Sequence, residues 1–131
     1  MAPDVSIIIP VKDEEENIDL LANEINAAME NVSLQWEGVW IDDGSTDTTA
    51  AKLKQLSDKD PRHRFVLLDG NFGQSAALSV GFKSALGSII ATLDGDGQND
   101  PADIPRLIEL LQKHGADMVN GVRQKRLDSV V

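Results

Sequence analysis

Residues 88–101 read SIIATLDGDGQNDP, and this stretch carries three successive instructions to the backbone. The apolar, largely β-branched run 88–93 suits a buried strand. Asp94 and Asp96 then end it with two carboxylates two residues apart. Gly95 and Gly97 allow tight turns and a close approach of the main chain to a ligand. Asp100 before Pro101 signals the start of a helix: an N-cap acceptor, then a residue whose missing N–H costs nothing in the first turn. A strand, an acidic loop and a helix in this order form one unit of an α/β fold.

The same alternation runs upstream. Residues 5–9 (VSIII) read as a buried parallel strand, and residues 14–32 repeat apolar positions at helical spacing through Ile18, Leu21, Ile25, Ala28 and Val32. A second strand is expected at 39–41 and a helix over 46–57, with Ala50, Leu53 and Leu56 inward. A third strand (65–68, FVLL) precedes a small-residue helix over 74–86, in which Gly81 marks close packing. Downstream, Ile104, Leu107, Ile108 and Leu111 form the inward face of the helix begun at Asp100. Gly115 stops it, and residues 116–119 open a further strand. The expected fold is α/β, a Rossmann-like, mainly parallel sheet with right-handed crossovers and helices on both faces.

The chain has 131 residues, enough for one domain over 1–131 with a real core; 41% hydrophobic and 26% charged residues are the balance of a soluble globular protein. Without cysteine, disulfides, thiolate metal sites and cysteine nucleophiles are excluded, and a reducing cytoplasm fits. No apolar run approaches a membrane span and the start does not read as a signal peptide. The end, DSVV at 128–131, has no cap or turn and reads as a cut inside a longer protein. A net charge of −10 argues against nucleic acid as a partner. Any phosphorylated ligand would need local cations, from a metal or from placed arginines.

In an open α/β sheet, ligands sit beyond the carboxyl ends of the strands. Polar clusters follow each strand there: Lys12, Asp13 and Glu14; Asp42 to Asp47; Asp69 to Asn71; and Asp94 to Asp100. Two carboxylates as close as Asp94 and Asp96 repel unless a cation joins them. Mg2+ or Mn2+ suits them, since such ions take one or two protein carboxylates and fill their shell with phosphate oxygens and water. Gln98 could add a neutral oxygen. Ser45 or Thr46 suits the cap of the following helix, with Asp47 in its first turn. Asp42 and Asp43 have no such duty, and one of them is a candidate acceptor for a base N–H or a ribose hydroxyl. Glu15 and Glu16 read as a solvated face.

The runs SIIIPVKDEEENI, WIDDGSTDTT, NFGQSAALSVGFKSA and TLDGDGQNDPADIPRLIELL, in this order and spacing, resemble family 2 glycosyltransferases. Within these the likeness is to dolichol- or undecaprenyl-phosphate mannosyltransferase-like sugar transferases. The resemblance implies a GT-A nucleotide-diphospho-sugar transferase fold, truncated here so that the acceptor half is absent. It also implies a divalent metal, a GDP- or UDP-sugar donor, a polyprenyl phosphate acceptor and a full-length protein at the cytoplasmic face of the membrane. Pro10, Val11 and Glu14 would line the nucleoside pocket with Asp42 or Asp43. Asp94 and Asp96 match the family's DxD, Asp96 holding the metal on the diphosphate as the catalytic residue. Gln98 falls where some members add a ligand. Arg123 and Arg126 would face the donor diphosphate or the lipid phosphate. Lys12 stands where the family often has an aromatic residue, Asp13 where it often has Asn, and Gly70 where it often has Arg.

Competing expectations are transfer to a saccharide or protein hydroxyl, a non-catalytic sugar-nucleotide-binding module, and a phosphatase with Asp94 as nucleophile. The phosphatase strand usually opens its fold, whereas three strand–helix units precede this one. A sheet edge left open favours a homodimer.

Overall fold

The computed structural model describes residues 2–93, 100–115, 118–119 and 122–124, the last two segments by backbone course apart from the Val122 side chain. Val5, Ile7, Ile9 and Val11 enter one core and Ile8 another, all of them buried. That division explains why the first strand is apolar without alternation: β1 (Val5–Val11) lies mid-sheet and is covered on both faces. It pairs in parallel with β2 (Trp36–Asp42) on one side and β4 (Ile89–Thr92) on the other. β3 (His63–Leu67) lies outside β2, also parallel.

Beyond β4 the direction changes. β6 (Val122–Gln124) pairs antiparallel with β4, and β5 (Met118–Val119) antiparallel with β6. The sheet order is β3-β2-β1-β4-β6-β5, so the sheet is parallel only over its first four strands.

Three helices supply the larger core: α1 (Ile18–Met29), α2 (Thr49–Lys59) and α4 (Ile104–His114). α3 (Gln74–Ser84) covers the opposite face over Ile8, Val39 and Ile41. Each fully buried Ile or Leu contributes roughly 1.5–3 kcal/mol. Gly81 permits the close approach on the α3 face, since a Cβ there would lie 2.3 Å from Cγ2 of Ile8. Asp100 caps the 3-10 turn Pro101–Asp103 by accepting from the Ala102 amide at 3.0 Å, and Gly115 ends α4 at a φ of 61°.

Two helix starts fall later than the sequence pattern suggests. α1 begins at Ile18 and α2 at Thr49, and the polar residues before each are used in loop contacts. At the amino end of the sheet, Glu37 is buried within a polar knot. It accepts from Ser6 Oγ at 2.5 Å, Arg64 Nε at 2.6 Å and the Leu86 amide at 2.8 Å. Burial pushes the Glu37 carboxyl up, but the bonds from Arg64, Ser6 and Leu86 outweigh it and hold it below the usual range. No helix among the described residues is long and apolar enough to cross a membrane.

Candidate functional site

Register sets the site. Val11 stands opposite Asp42, and Ile8 opposite Thr92, so the carboxyl ends of β2, β1 and β4 open on one rim. The chain winds from β1 outward through β2 to β3 and then returns by α3 to β4 on the other side of β1. The reversal between β1 and β4 is the topological switch point at which such sheets bind ligands.

Two rim loops are clipped together. Asp13, whose φ is 51°, donates its amide to Ser45 Oγ at 2.8 Å and accepts from the Thr46 amide at 2.8 Å. The Glu14 amide donates to Thr49 Oγ1 at 2.9 Å. Glu15 accepts from the amide and the hydroxyl of Thr48 at 2.9 and 2.5 Å. Ser45 and Thr46 therefore do not cap α2, whose N-cap is Thr48 with no side-chain cap bond; Asp47 lies before that cap, not in the first turn, and accepts from the Thr49 amide at 2.9 Å. Nor is Glu15 a solvated face. These partners lie 32 to 35 residues apart, and local capping preference carries no information about them.

The paired acids after β2 separate into two tasks. Both are buried, Asp42 3% and Asp43 6% exposed. Asp43 spends both oxygens on the β3–α3 loop, Oδ1 on the Phe72 amide at 2.8 Å and Oδ2 on the Gly73 amide at 3.0 Å. With the Asn71 amide turned to satisfy both of its neighbours, its nitrogen adds a bond to Asp43 Oδ2 at 2.9 Å and its oxygen accepts from Lys12 Nζ at 2.9 Å. Asp42 Oδ1 accepts from the Ser45 amide at 2.9 Å, and Oδ2 has no partner among the described residues. A buried carboxylate oxygen without a partner is costly, which leaves Asp42, rather than Asp43, as the candidate to meet a ligand.

Pro10, Val11, Glu14, Asp42 and Asp43 are thus gathered on one rim. Pro10 lies opposite Ile41, the Val11 carbonyl accepts the Asp43 amide at 2.9 Å, and Glu14 accepts from Asn17 Nδ2 at 2.7 Å. Asp94, Asp96, Gln98 and Arg126 lie outside the described residues. Arg123 stands opposite Ile90, two residues short of the last residue of β4, which puts its backbone mid-sheet and not on the rim. The sequence reading did not single out Asn71; its one local signal is its place in the polar loop after a strand, directly before Phe72-Gly73.

A groove of about 850 Å3 opens at the other end of the strands, between Asn26, Met29, Trp36 and Arg62. No rim loop contributes to it, and its lining includes Arg62 and Arg64, which are paired with Asp60 and Glu37. The chemistry gathers on the carboxyl rim instead.

A parallel β3-β2-β1-β4 core with acid-rich loops beyond its strands' carboxyl ends is an open, doubly wound α/β arrangement, a class that binds ligands at its switch point. Residues 6–131 match Glycosyl transferase family 2, and the chain belongs to that family. It is 41% identical over 127 residues to the undecaprenyl-phosphate 4-deoxy-4-formamido-L-arabinose transferase of Pectobacterium carotovorum, covering 96% of this chain and 38% of that protein. It is 38% identical over 128 residues to the dodecaprenyl-phosphate galacturonate synthase of Rhizobium johnstonii, covering 97% of this chain and 38% of the relative. The chain therefore spans well under half the length of these relatives.

Among solved structures, the mannosyltransferase PcManGT from Pyrobaculum calidifontis, in complex with GDP-Man and Mn2+, superposes with a TM-score of 0.71 at 22% identity, over 85% of this chain and 33% of that one. S. aureus TarS 1-349 in complex with UDP-GlcNAc gives 0.69 at 24% identity, over 89% and 33%. The fold is that of the GT-A nucleotide-diphospho-sugar transferases, of which this chain spans about a third.

Proposed function

We propose that this chain forms the donor-nucleotide half of an inverting glycosyltransferase that moves a sugar from a nucleoside diphosphate to a polyprenyl phosphate. The observation that carries this reading is the buried carboxylate of Asp42 on the carboxyl rim, one oxygen of which has no partner among the described residues. Asp42 accepts a base N–H or a ribose hydroxyl, and Pro10, Val11 and Glu14 form the wall beside it. Asp43 holds the neighbouring loop.

Asp94 and Asp96, with Gln98, offer a Mg2+ or Mn2+ ion the all-oxygen, carboxylate-rich set that such ions take. Elsewhere no cluster competes: among the described residues no group of three His, Asp or Glu side chains could hold a metal. Bound there, the ion supplies charge stabilisation for the leaving diphosphate. Arg126 is the better candidate for the phosphate contact, since the register holds the Arg123 backbone within the sheet. An acceptor phosphate oxygen attacks the anomeric carbon from the face opposite the diphosphate and inverts it. A phosphate monoester is ionised near neutrality, so no general base is assigned.

Two relatives named for polyprenyl-phosphate substrates support this acceptor over a saccharide or protein hydroxyl. Such an acceptor would bring the whole protein to the cytoplasmic face of the membrane. The open edge at β3 is where a second copy could add.

The test is calorimetric titration of this chain with UDP and GDP, each with and without Mn2+, beside Asp96→Ala. Metal-dependent binding, weakened at least about tenfold in the variant, is the expected result. Failure of both nucleotides to bind at millimolar concentration would overturn the donor-site reading.

A further inference from the structure

The loops that follow β1, β2 and β3 are tied to one another in a closed ring. Asp13, Glu14 and Glu15 bond the first loop to the second. Asp43 bonds the second to the third through the amides of Phe72 and Gly73. These two loops also touch by main chain. A Cβ on Gly44, whose φ is 74°, would lie 2.6 Å from the Gly70 carbonyl carbon and 2.8 Å from the Asn71 nitrogen. The link from the third loop back to the first is Lys12 Nζ, donating to the Asn71 side-chain oxygen at 2.9 Å. Since β2 lies between β1 and β3, that link joins loops on either side of the strand that ends in Asp42.

The chemistry at position 71 is narrowly set. The side chain meets a cation on one side and an anion on the other, its nitrogen donating to Asp43 Oδ2 at 2.9 Å. A carboxamide carries an acceptor and donors on one plane and serves both at once. A carboxylate there would set a second negative charge against Asp43, and an aliphatic side chain would serve neither neighbour. Lys12 makes no ion pair among the described residues, so both bonds of Asn71 are to charged groups and of the stronger kind. Resting on the donor-site reading above, we propose that Asn71 is a positioning residue for the nucleotide and that Lys12 acts through it, without touching the ligand. The pair fastens the β3–α3 loop to the β1–α1 loop and fixes the wall around Asp42 before a nucleotide arrives. A loop already ordered loses less entropy on binding than one that its ligand must order.

The test is a double-mutant cycle of wild type, Asn71→Leu, Lys12→Met and the two combined, with Lys12→Arg as the conservative variant. Both residues are exposed, so matching thermal midpoints of the five proteins establish that folding is unchanged. Without ligand, amide exchange at Phe72 and Gly73 should quicken about fivefold in every variant but Lys12→Arg. Exchange at Thr46 and Thr48, which the first loop holds, should keep its rate. Dissociation constants for UDP and GDP, both with Mn2+, are then measured. Asn71→Leu and Lys12→Met should each weaken the tighter-binding nucleotide about fivefold. The double variant should bind no more weakly than Asn71→Leu alone, and Lys12→Arg should match the wild type.

Losses that add in the double variant would mean that Lys12 meets the ligand itself and would overturn the proposal. So would unchanged exchange at Phe72 and Gly73, or faster exchange with unchanged affinity. Each of these outcomes leaves nucleotide binding by the wild type, and with it the donor-site reading, intact. A wild-type chain that binds neither nucleotide defeats both.

Discussion

The Asp43 carboxylate receives the backbone amide of Phe72 at 2.8 Å, a bond that ties the end of β2 to the loop after β3 across 29 residues. Asp42, one residue earlier, makes no such tie, and identical side chains in sequence thereby acquire different duties. Asp43→Asn has one oxygen for two amides and leaves one of them unpaired. It should lose about 1–3 kcal/mol of stability, read from the urea midpoint. Asp42→Asn keeps an oxygen for the Ser45 amide, so its midpoint should move by less than about 0.5 kcal/mol while UDP or GDP affinity falls. Equal destabilisation by the two variants would remove the distinction.

The clip between the first two rim loops depends on an acid held in the left-handed region, Asp13 at a φ of 51°. Asn tolerates that conformation and keeps an acceptor for Thr46, whereas Ala does neither. Asp13→Asn should be nearly neutral and Asp13→Ala should cost about 1–2 kcal/mol. Amide exchange at Thr46 and Thr48 should accelerate in the alanine variant alone. An alanine variant with wild-type exchange rates at both amides would show that the clip does not order the rim.

Gly81 and Ile8 pack too closely for any larger residue, with an added Cβ 2.3 Å from the isoleucine methyl. Helix propensity alone favours Gly81→Ala by roughly 1 kcal/mol. Overpacking should win, with a net loss of about 1–3 kcal/mol and a lower thermal midpoint. In the double variant Gly81→Ala/Ile8→Ala the clashing γ2 methyl is gone, so its cost should be less than the sum of the single losses.

His63 is 1% exposed, accepts the Trp40 indole N–H at Nδ1 (3.0 Å) and meets Asn26 Oδ1 with Nε2 at 2.8 Å. The ring is therefore the neutral Nε2–H tautomer, donating to Asn26. Burial pushes its pKa down from 6.5 to about 4. Between these values the unfolded chain binds a proton that the folded chain refuses. Stability is then fully present above about pH 6.5 and falls as pH is lowered toward 4, by about 3 kcal/mol in all. Urea midpoints of the wild type and of His63→Gln across this window supply the check, because the carboxylates titrate in both. A wild-type curve parallel to that of the variant would refute the assignment.

Much of this was legible in the chain itself. The apolar run 5–9, the Asp100-Pro101 start and the Gly115 stop are local signals that mark elements found there, the strand running on to Val11. The misplaced starts of α1 and α2 share one cause: residues 13–16 and 45–48 have the composition of helix first turns, and their hydrogen bonds go to each other's loops instead. A Ser or Asp that could satisfy a nearby amide gives no sign in sequence that a distant one has claimed it. The antiparallel turn of β5 and β6 was hidden for a similar reason, since two- and three-residue strands carry no usable period.

The sequence by itself determined the strand–helix alternation, the acidic character of the loops at the strands' carboxyl ends and the family, because periodicity, capping and motif order act through neighbours along the chain. Only the tertiary structure decided that Asp43 is spent on Phe72 and Gly73, that Asp42 keeps one oxygen without a partner among the described residues, and that Lys12 reaches toward Asn71. Those assignments depend on strand order and register, which bring together groups tens of residues apart, and a hydrogen bond falls off too steeply with distance and angle to be inferred without them.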